Sequence, residues 1–83
     1  MAKVLYENRK NGDILSKADD FSDELTAEKY IEWDVASTKK RLDAAGVVYS
    51  VSEACDENGH PYIELRRGND SVRWTRLSIW RAD

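Results

Sequence analysis

The apolar residues of this 83-residue chain change their spacing at Gly46, and this change constrains the fold more than any other feature. Before Gly46 the apolar residues recur at steps of three or four, which is the period of one face of an α-helix. After Gly46 they alternate with polar residues, as in strands that bury one face. The sequence therefore predicts a helix followed by strands. The helical stripe consists of Ala27, Ile31, Val35, Thr38, Leu42 and Ala45.

The predicted helix begins at Thr26 and ends at about Ala45. Thr26 and Ser22 both offer a side-chain oxygen that can accept a hydrogen bond from a free backbone N–H at a helix start, and we favour Thr26. Gly46 is expected to end the helix, because glycine commonly occupies the position just past a helix C-terminus.

Asn11-Gly12 predicts a hairpin within residues 3–16, since this dipeptide readily adopts the positive φ angles of a two-residue turn. In this hairpin, residues 4–6 are expected to pair with Ile14 and Leu15. After the helix, the sequence predicts three strands at residues 47–55, 62–67 and 72–81, joined by turns at Asn58-Gly59 and around Asn69-Asp70. Strands joined by such short turns are antiparallel neighbours.

The turn centres also predict which side chains share a face of the sheet. A first turn centred on Asn58-Gly59 puts Cys55 opposite Tyr62 and Glu53 opposite Glu64, with Ala54, Ile63, Ser52 and Leu65 towards the helix. A second turn centred on Asn69-Asp70 puts Trp74 beside Leu65 on the core side, and Arg66, Arg73 and Tyr62 on the outer side. Because Trp74 and Ile79 are an odd number of residues apart, burying both requires a bulge near residues 76–78.

These elements predict one small α+β domain over residues 1–83. Its N-terminal β-hairpin, one central α-helix and C-terminal three-stranded antiparallel meander form two layers, with the helix on one face of the sheet. The single cysteine, Cys55, excludes an intramolecular disulfide and favours a cytoplasmic protein. The longest apolar run, residues 44–49, is far shorter than the ~20 residues of a membrane span, so we expect no membrane association.

We expect no enzymatic activity, no cofactor and no metal site. His60, the only histidine, lies beside a predicted turn near Cys55, and we interpret both as structural residues. Residues 19–24 are rich in carboxylates but lack the ligand order of an EF-hand. Paired carboxylates such as Glu53 and Glu64, predicted to be opposite each other, could act as general acid and base.

The charges are separated along the chain, with carboxylates concentrated in residues 19–34 and no lysine after Lys40. Arginine binds phosphate bidentately and stacks on rings, so the arginines of the last two strands suggest a nucleic-acid platform. The formal net charge of −3 opposes this interpretation. The residues of this predicted platform are Arg66, Arg67, Arg73 and Arg76, with Tyr49 and Tyr62 nearby.

Contact with another protein is the function that the sequence favours, because Tyr, Trp and Arg are the residue types enriched at binding hot spots. Trp33 lies off the apolar stripe on an acidic helix and suggests an exposed anchor. We therefore expect a small non-enzymatic binding protein that modulates or inhibits a larger assembly. Small acidic domains of this kind occur among the accessory proteins of phages and mobile elements. The alternative is a nucleic-acid-binding module, and an open edge strand could also pair two copies of the chain. The predicted partner-binding residues are Tyr62, Arg66, Arg73, Trp33, Glu28 and Glu32.

Overall fold

All five strands belong to one antiparallel sheet, and a single helix packs on one of its faces. The computed structural model describes residues 2–78. It confirms the predicted hairpin, central helix, meander and two-layer α+β architecture. In chain order the elements are β1 (Ala2–Lys10), β2 (Asp13–Phe21), α1 (Glu24–Ala44), β3 (Ser50–Cys55), β4 (Pro61–Arg67) and β5 (Asp70–Ser78).

The strand order β2-β1-β5-β4-β3 joins the N-terminal hairpin to the C-terminal meander through the pairing of β1 with β5. This pairing runs without interruption from Arg9 opposite Ser71 to Ala2 opposite Ser78. The bulge predicted near residues 76–78 is therefore absent as far as Ser78, while Ile79 and Trp80 lie outside the described residues. β1 and β5, the first and last strands within residues 2–78, thus lie side by side in the interior of the sheet.

The Asn11-Gly12 turn forms as predicted, with φ angles of 54° and 84°. The predicted pairing across it is wrong, because Ile14 lies opposite Arg9 and Leu15 opposite Asn8. A two-residue turn pairs the residues that flank it, and the ladder then continues outwards one residue at a time. β2 consequently extends to Phe21, through acidic residues that show no apolar rhythm because this edge strand is almost entirely exposed.

The helix begins at Glu24, two residues before the predicted start, because Asp23 caps it. The Asp23 carboxylate accepts a hydrogen bond of 2.7 Å from the backbone N–H of Thr26, which lowers the pKa of Asp23. Both predicted caps, Ser22 and Thr26, are wrong, because Asp23 is the N-cap. Aspartate is as good an N-cap as serine. At the other end Gly46 stops the helix as predicted, with φ +70°.

The first turn of the meander differs from the prediction by one residue. Its backbone closes with a 2.9 Å hydrogen bond from the Asp56 N–H to the His60 carbonyl, which leaves a three-residue loop at 57–59. Such loops need a left-handed third residue, and Gly59 supplies it with φ +79°. As a result Glu53 lies opposite Ile63 rather than Glu64. A shift of one residue turns every side chain of a strand to the other face.

The second turn of the meander lies one residue earlier than predicted, which shifts the pairing register by two residues and keeps every side chain on its predicted face. Arg67 lies opposite Asp70, so the turn is centred on Gly68-Asn69. Trp74 therefore pairs with Ile63 rather than Leu65, but it remains on the core side. Its ring is fully buried and meets Tyr6 edge-on, with 5.9 Å between the ring centroids. The buried apolar core comprises Ala2, Val4, Ala27, Ile31, Val35, Leu65 and Trp74.

Candidate functional site

The helix covers only part of the sheet. α1 packs against β1, β5 and β2, and among the described residues none of its Cα atoms lies within 8 Å of β3 or β4. We call the side of the sheet that carries Val4 and Trp74 the helix face, and the other side the open face. At the β4–β3 end of the sheet, the helix face is therefore only partly covered.

A cleft of about 380 Å³ lies where α1 diverges from β4 and β3. Ile63, half-buried on β4, contributes apolar surface to it. The buried side chains of Ile31 on the helix and Trp74, directly opposite Ile63 on β5, also line it. Three carboxylates also line it: Glu28 and Glu32 from α1, and Glu53 from β3. We call this feature the acidic cleft.

One of the three carboxylates is neutralised by a cation in the wall of the acidic cleft. Arg76 on β5 forms an ion pair with Glu28 through its Nη1 atom. The Nε atom of Arg76 is buried and has no hydrogen-bond partner among the described residues. Within residues 2–78, Glu32 and Glu53 form no ion pair. Counted over the described residues, the acidic cleft therefore has an excess of negative charge beside its apolar surface.

β3 is an outer strand of the sheet next to the acidic cleft, and its outer edge pairs with no other strand within residues 2–78. All six of its residues are exposed, and Glu53 is the only charged one. An unpaired edge strand presents free backbone N–H and C=O groups, and proteins usually protect such edges with charges, proline or bulges. β2, the opposite edge, follows that pattern with Asp13, Lys17, Asp19 and Asp20. β3 is the less protected edge.

The open face carries an ion-pair cluster centred on Glu64, a carboxylate only 8% exposed. Arg73 donates to Glu64 Oε2 from Nε at 3.0 Å and from Nη2 at 2.6 Å, and Arg66 Nε donates to Oε1 at 2.8 Å. The hydrogen bonds from Arg73 are the main cause of the lowered pKa of Glu64, and they raise the pKa of Arg73. The Arg73 guanidinium also lies 4.0 Å from the centroid of the Tyr62 ring.

This cluster changes what the arginines of the open face can offer to a ligand. Arg73 lies between Glu7 on β1 and Glu64 on β4, directly opposite both. Its Nε and Nη2 atoms already donate to Glu64, and its guanidinium already covers one face of the Tyr62 ring. Arg67 and Arg76 alternate onto the helix face with Trp74 and Ile63, so the predicted platform of four arginines on one surface is wrong.

The six predicted partner-binding residues do not form one surface. Glu28 and Glu32 lie at the acidic cleft, whereas Arg66 and Arg73 lie on the open face. Tyr62 belongs to the open face by its strand register and also borders the acidic cleft. Trp33 is 66% exposed on α1. Sequence reasoning did not assign Glu53 to this site, because the predicted register turned its side chain to the opposite face.

The predicted acid–base pair is wrong as well, because Glu53 and Glu64 point to opposite faces of the sheet. Cys55 is exposed and lies opposite Pro61, while His60 Nδ1 is 3.4 Å from Asp56 Oδ2. Among residues 2–78, no group of three or more His, Cys, Asp or Glu side chains is arranged to hold a metal ion. The helix of the described chain is not long and apolar enough to cross a membrane.

No protein-family model, no curated protein and no solved structure matches this chain. Any functional conclusion therefore depends on the acidic cleft, the β3 edge and the arginine cluster themselves.

Proposed function

We propose that this protein is a non-enzymatic binding protein that acts by contact with another protein, and that the acidic cleft is the centre of the contact surface. The observation that carries the proposal is the divergence of α1 from β4 and β3, which leaves the half-buried Ile63 beside Glu32 and Glu53, two carboxylates that form no ion pair within residues 2–78. Protein interfaces commonly combine an apolar centre with a polar, charged rim. The acidic cleft offers both within a few residues.

The charge of the acidic cleft favours a basic partner surface. Glu32 and Glu53 form no ion pair with any described residue, so a lysine or arginine of a partner would supply one. Complementary charge of this kind raises association rates and discriminates against wrong partners.

Trp33 offers a second contact on the helix. It is 66% exposed, and Leu25, eight residues earlier on α1, is 61% exposed. Tryptophan is enriched among hot-spot residues, since a large ring buries much apolar area when a partner covers it. We include Trp33 in the proposed interface as an anchor separate from the acidic cleft.

Affinity capture from cell extract tests the proposal with three variants of the chain. Replacing Glu32 and Glu53 by lysine reverses the charge of the acidic cleft, and Trp33→Ala removes the helix anchor. Arg66→Glu combined with Arg73→Glu alters the open face and serves as the matched control. We expect the charge-reversal variant to lose a captured protein that the open-face variant retains. A set of captured proteins that none of the three changes alters would overturn the proposal.

Nucleic-acid binding is a second candidate function, favoured by the placement of Arg66 and Arg73 together beside Tyr62 on the open face. Glu64 weakens the case for this function, because it accepts hydrogen bonds from both arginines. Phosphate contacts release counterions, so this candidate requires binding to DNA or RNA that weakens steeply with salt. Binding that is absent at low salt, or that survives Arg66→Glu with Arg73→Glu, would reject it.

We further propose that the protein acts in the cytoplasm and modulates or inhibits a larger assembly, in the manner of accessory proteins of phages and mobile elements. Small size, a net charge of −3 and a single cysteine support this proposal. Imaging of a tagged chain, together with the size of the captured complex, tests it.

A further inference from the structure

We propose that β3 binds an extended, basic segment of the partner, which adds to the sheet as a sixth strand and places a lysine or arginine against Glu53. This inference rests on the proposed function and specifies which kind of partner the acidic cleft takes. The new strand would lie about 4.8 Å beyond β3 and donate and accept backbone hydrogen bonds along its edge.

The edge of β3 is suited to strand addition in a way that the edge of β2 is not. β3 has six exposed residues with one charge and no proline. Along β2, Lys17 pairs with Asp19 within the strand, and Asp20 pairs with Lys3 of the neighbouring strand. A strand adding to β2 would have to fit against these ion pairs, whereas one adding to β3 meets a single carboxylate.

The register of β3 specifies the chemistry of the added strand. Val51, Glu53 and Cys55 alternate onto the helix face, while Ser50, Ser52 and Ala54 alternate onto the open face. Directly opposed side chains on one face interact, and opposite charges there are favourable. The expected segment therefore has a basic residue opposite Glu53, an apolar residue two positions away opposite Val51, and small residues on its other face.

The acidic cleft extends the site for that basic side chain. Glu53 lines the same cleft as Glu32, and Ile63 provides apolar surface beside them. A lysine or arginine opposite Glu53 can lay its methylene groups along apolar surface and keep its charge near both carboxylates. This arrangement explains why a basic residue fits better than a purely apolar one.

A second copy of the chain is the less suitable occupant of β3. Antiparallel pairing of two β3 strands about a two-fold axis keeps matching faces together, so both Glu53 side chains would lie on the helix face, opposite or diagonal to each other. The two acidic clefts would also face one another across the new pair. Like charges in these positions are unfavourable, which argues for a partner of opposite charge.

A titration of the full chain with a peptide, monitored by nuclear magnetic resonance, tests the inference. The probe is Thr-Val-Ser-Arg-Ser-Val-Thr with blocked termini, and the matched controls carry glutamate in place of arginine or N-methyl groups at alternate residues, which prevent strand pairing. We expect saturable shifts of the amides of Ser50–Cys55 and of the Trp74 indole N–H with the arginine peptide. Neither control peptide is expected to produce them.

Protein variants locate the peptide at β3. Glu53→Gln is expected to weaken binding by about fivefold, the effect of losing one favourable cross-strand charge pair. Asp19→Asn, the matched change on the opposite edge strand, is expected to leave the affinity unchanged. Shifts confined to β2, equal binding of the glutamate peptide, or an affinity indifferent to Glu53→Gln would each overturn the inference.

Two further outcomes identify other occupants and would also overturn it. Doubling of the molecular mass at the concentrations of the titration, with the Ser50–Cys55 amides shifting in the absence of peptide, would assign β3 to a second copy. Peptide binding seen only in a chain that ends at Ser78 would assign the acidic cleft to residues 79–83. If the peptide fails while capture from extract remains sensitive to the charge of the acidic cleft, the proposed function stands and only the extended segment is rejected.

Discussion

Trp74 on β5 donates a hydrogen bond of 2.7 Å from its indole Nε1 to Asp34 Oδ2 on α1, joining the sheet to the helix across 40 residues of sequence. Trp74 is fully buried, so its N–H has to find an acceptor inside the protein. The bond also fixes the position of the helix over the sheet, beside the point where α1 leaves β4 and β3 uncovered. It thus links the core to the shape of the acidic cleft.

Replacing Asp34 by alanine is expected to destabilise the protein by about 1–3 kcal/mol, because the buried indole N–H loses its acceptor. Asp34→Asn keeps an acceptor oxygen and should cost less. The free energy of unfolding from urea denaturation, followed by far-ultraviolet circular dichroism, measures both. Glu32→Ala, an exposed change on the same helix, is the control. Equal stability of Asp34→Ala and the control would contradict the prediction.

Trp74 in the core and Trp33 on the helix should differ sharply in how much their replacement lowers the free energy of unfolding. Trp74→Ala removes a fully buried ring and is expected to cost about 3–5 kcal/mol. Trp33→Ala removes a ring that is 66% exposed and should change stability by no more than about 0.5 kcal/mol. Thermal unfolding of the two variants compares them directly. A large loss of stability in Trp33→Ala would mean that Trp33 supports the fold and would weaken its assignment as an anchor.

Glu64 should make the stability of the protein depend on pH. Its pKa in the folded protein is lowered from 4.5, chiefly by the hydrogen bonds from Arg73, so the ionised form is stabilised by folding. This contribution is present above pH 4.5 and declines as the pH falls through the lowered pKa of the folded state. Glu64→Gln is expected to cost about 1–3 kcal/mol at pH 7, the usual value of hydrogen bonds to a charged group.

The test of Glu64 is a series of urea denaturations between pH 7 and pH 2. The stability difference between the natural chain and Glu64→Gln should shrink as the solution becomes more acidic. Glu57→Gln, a change of the same kind on an exposed loop residue, controls for general charge effects. A difference that stays constant over this range would show that the Glu64 carboxylate does not favour its ionised form.

Gly59 should be the residue of the first meander turn that tolerates substitution least. Its φ of +79° is strained for any residue with a Cβ atom, so Gly59→Ala is expected to cost about 1–2 kcal/mol. Asn58→Ala, in the same loop at a negative φ, should change stability by less than about 0.5 kcal/mol. Chemical denaturation of the two variants provides the comparison. Equal stability would contradict the turn geometry on which the β3 register depends.

Much of the fold could be predicted from the sequence because its signals are local. The helical stripe from Ala27 to Thr38 is buried as its period indicates, and Gly46 ends the helix. The Asn11-Gly12 turn and the three C-terminal strands follow from residue types that favour those backbone conformations. The capping residue could not be predicted, because Ser22, Asp23 and Thr26 all have side chains able to cap a helix. The point at which the backbone leaves β2 and enters α1 selects Asp23.

The acidic cleft could be predicted much less well, because it depends on register and on a long-range pairing. A three-residue loop instead of a two-residue turn moves Glu53 to the helix face, and the sequence around Asn58-Gly59 is compatible with both. The hydrogen bonds of the arginines on the open face also depend in part on strand register. The contact of Arg66 with Glu64 lies within β4, whereas the contact of Arg73 with Glu64 depends on the pairing of β4 with β5.

Periodicity and turn residues specify the hairpin, the helix and the meander, because these signals act over a few neighbouring positions. The pairing of β1 with β5, the partial cover of the sheet by α1 and the meeting of Glu28, Glu32 and Glu53 in one cleft follow from the folded arrangement. These features depend on contacts between residues far apart in the chain. Such contacts are selected by the burial of Trp74 and its neighbours in the assembled core, a property that no local pattern contains.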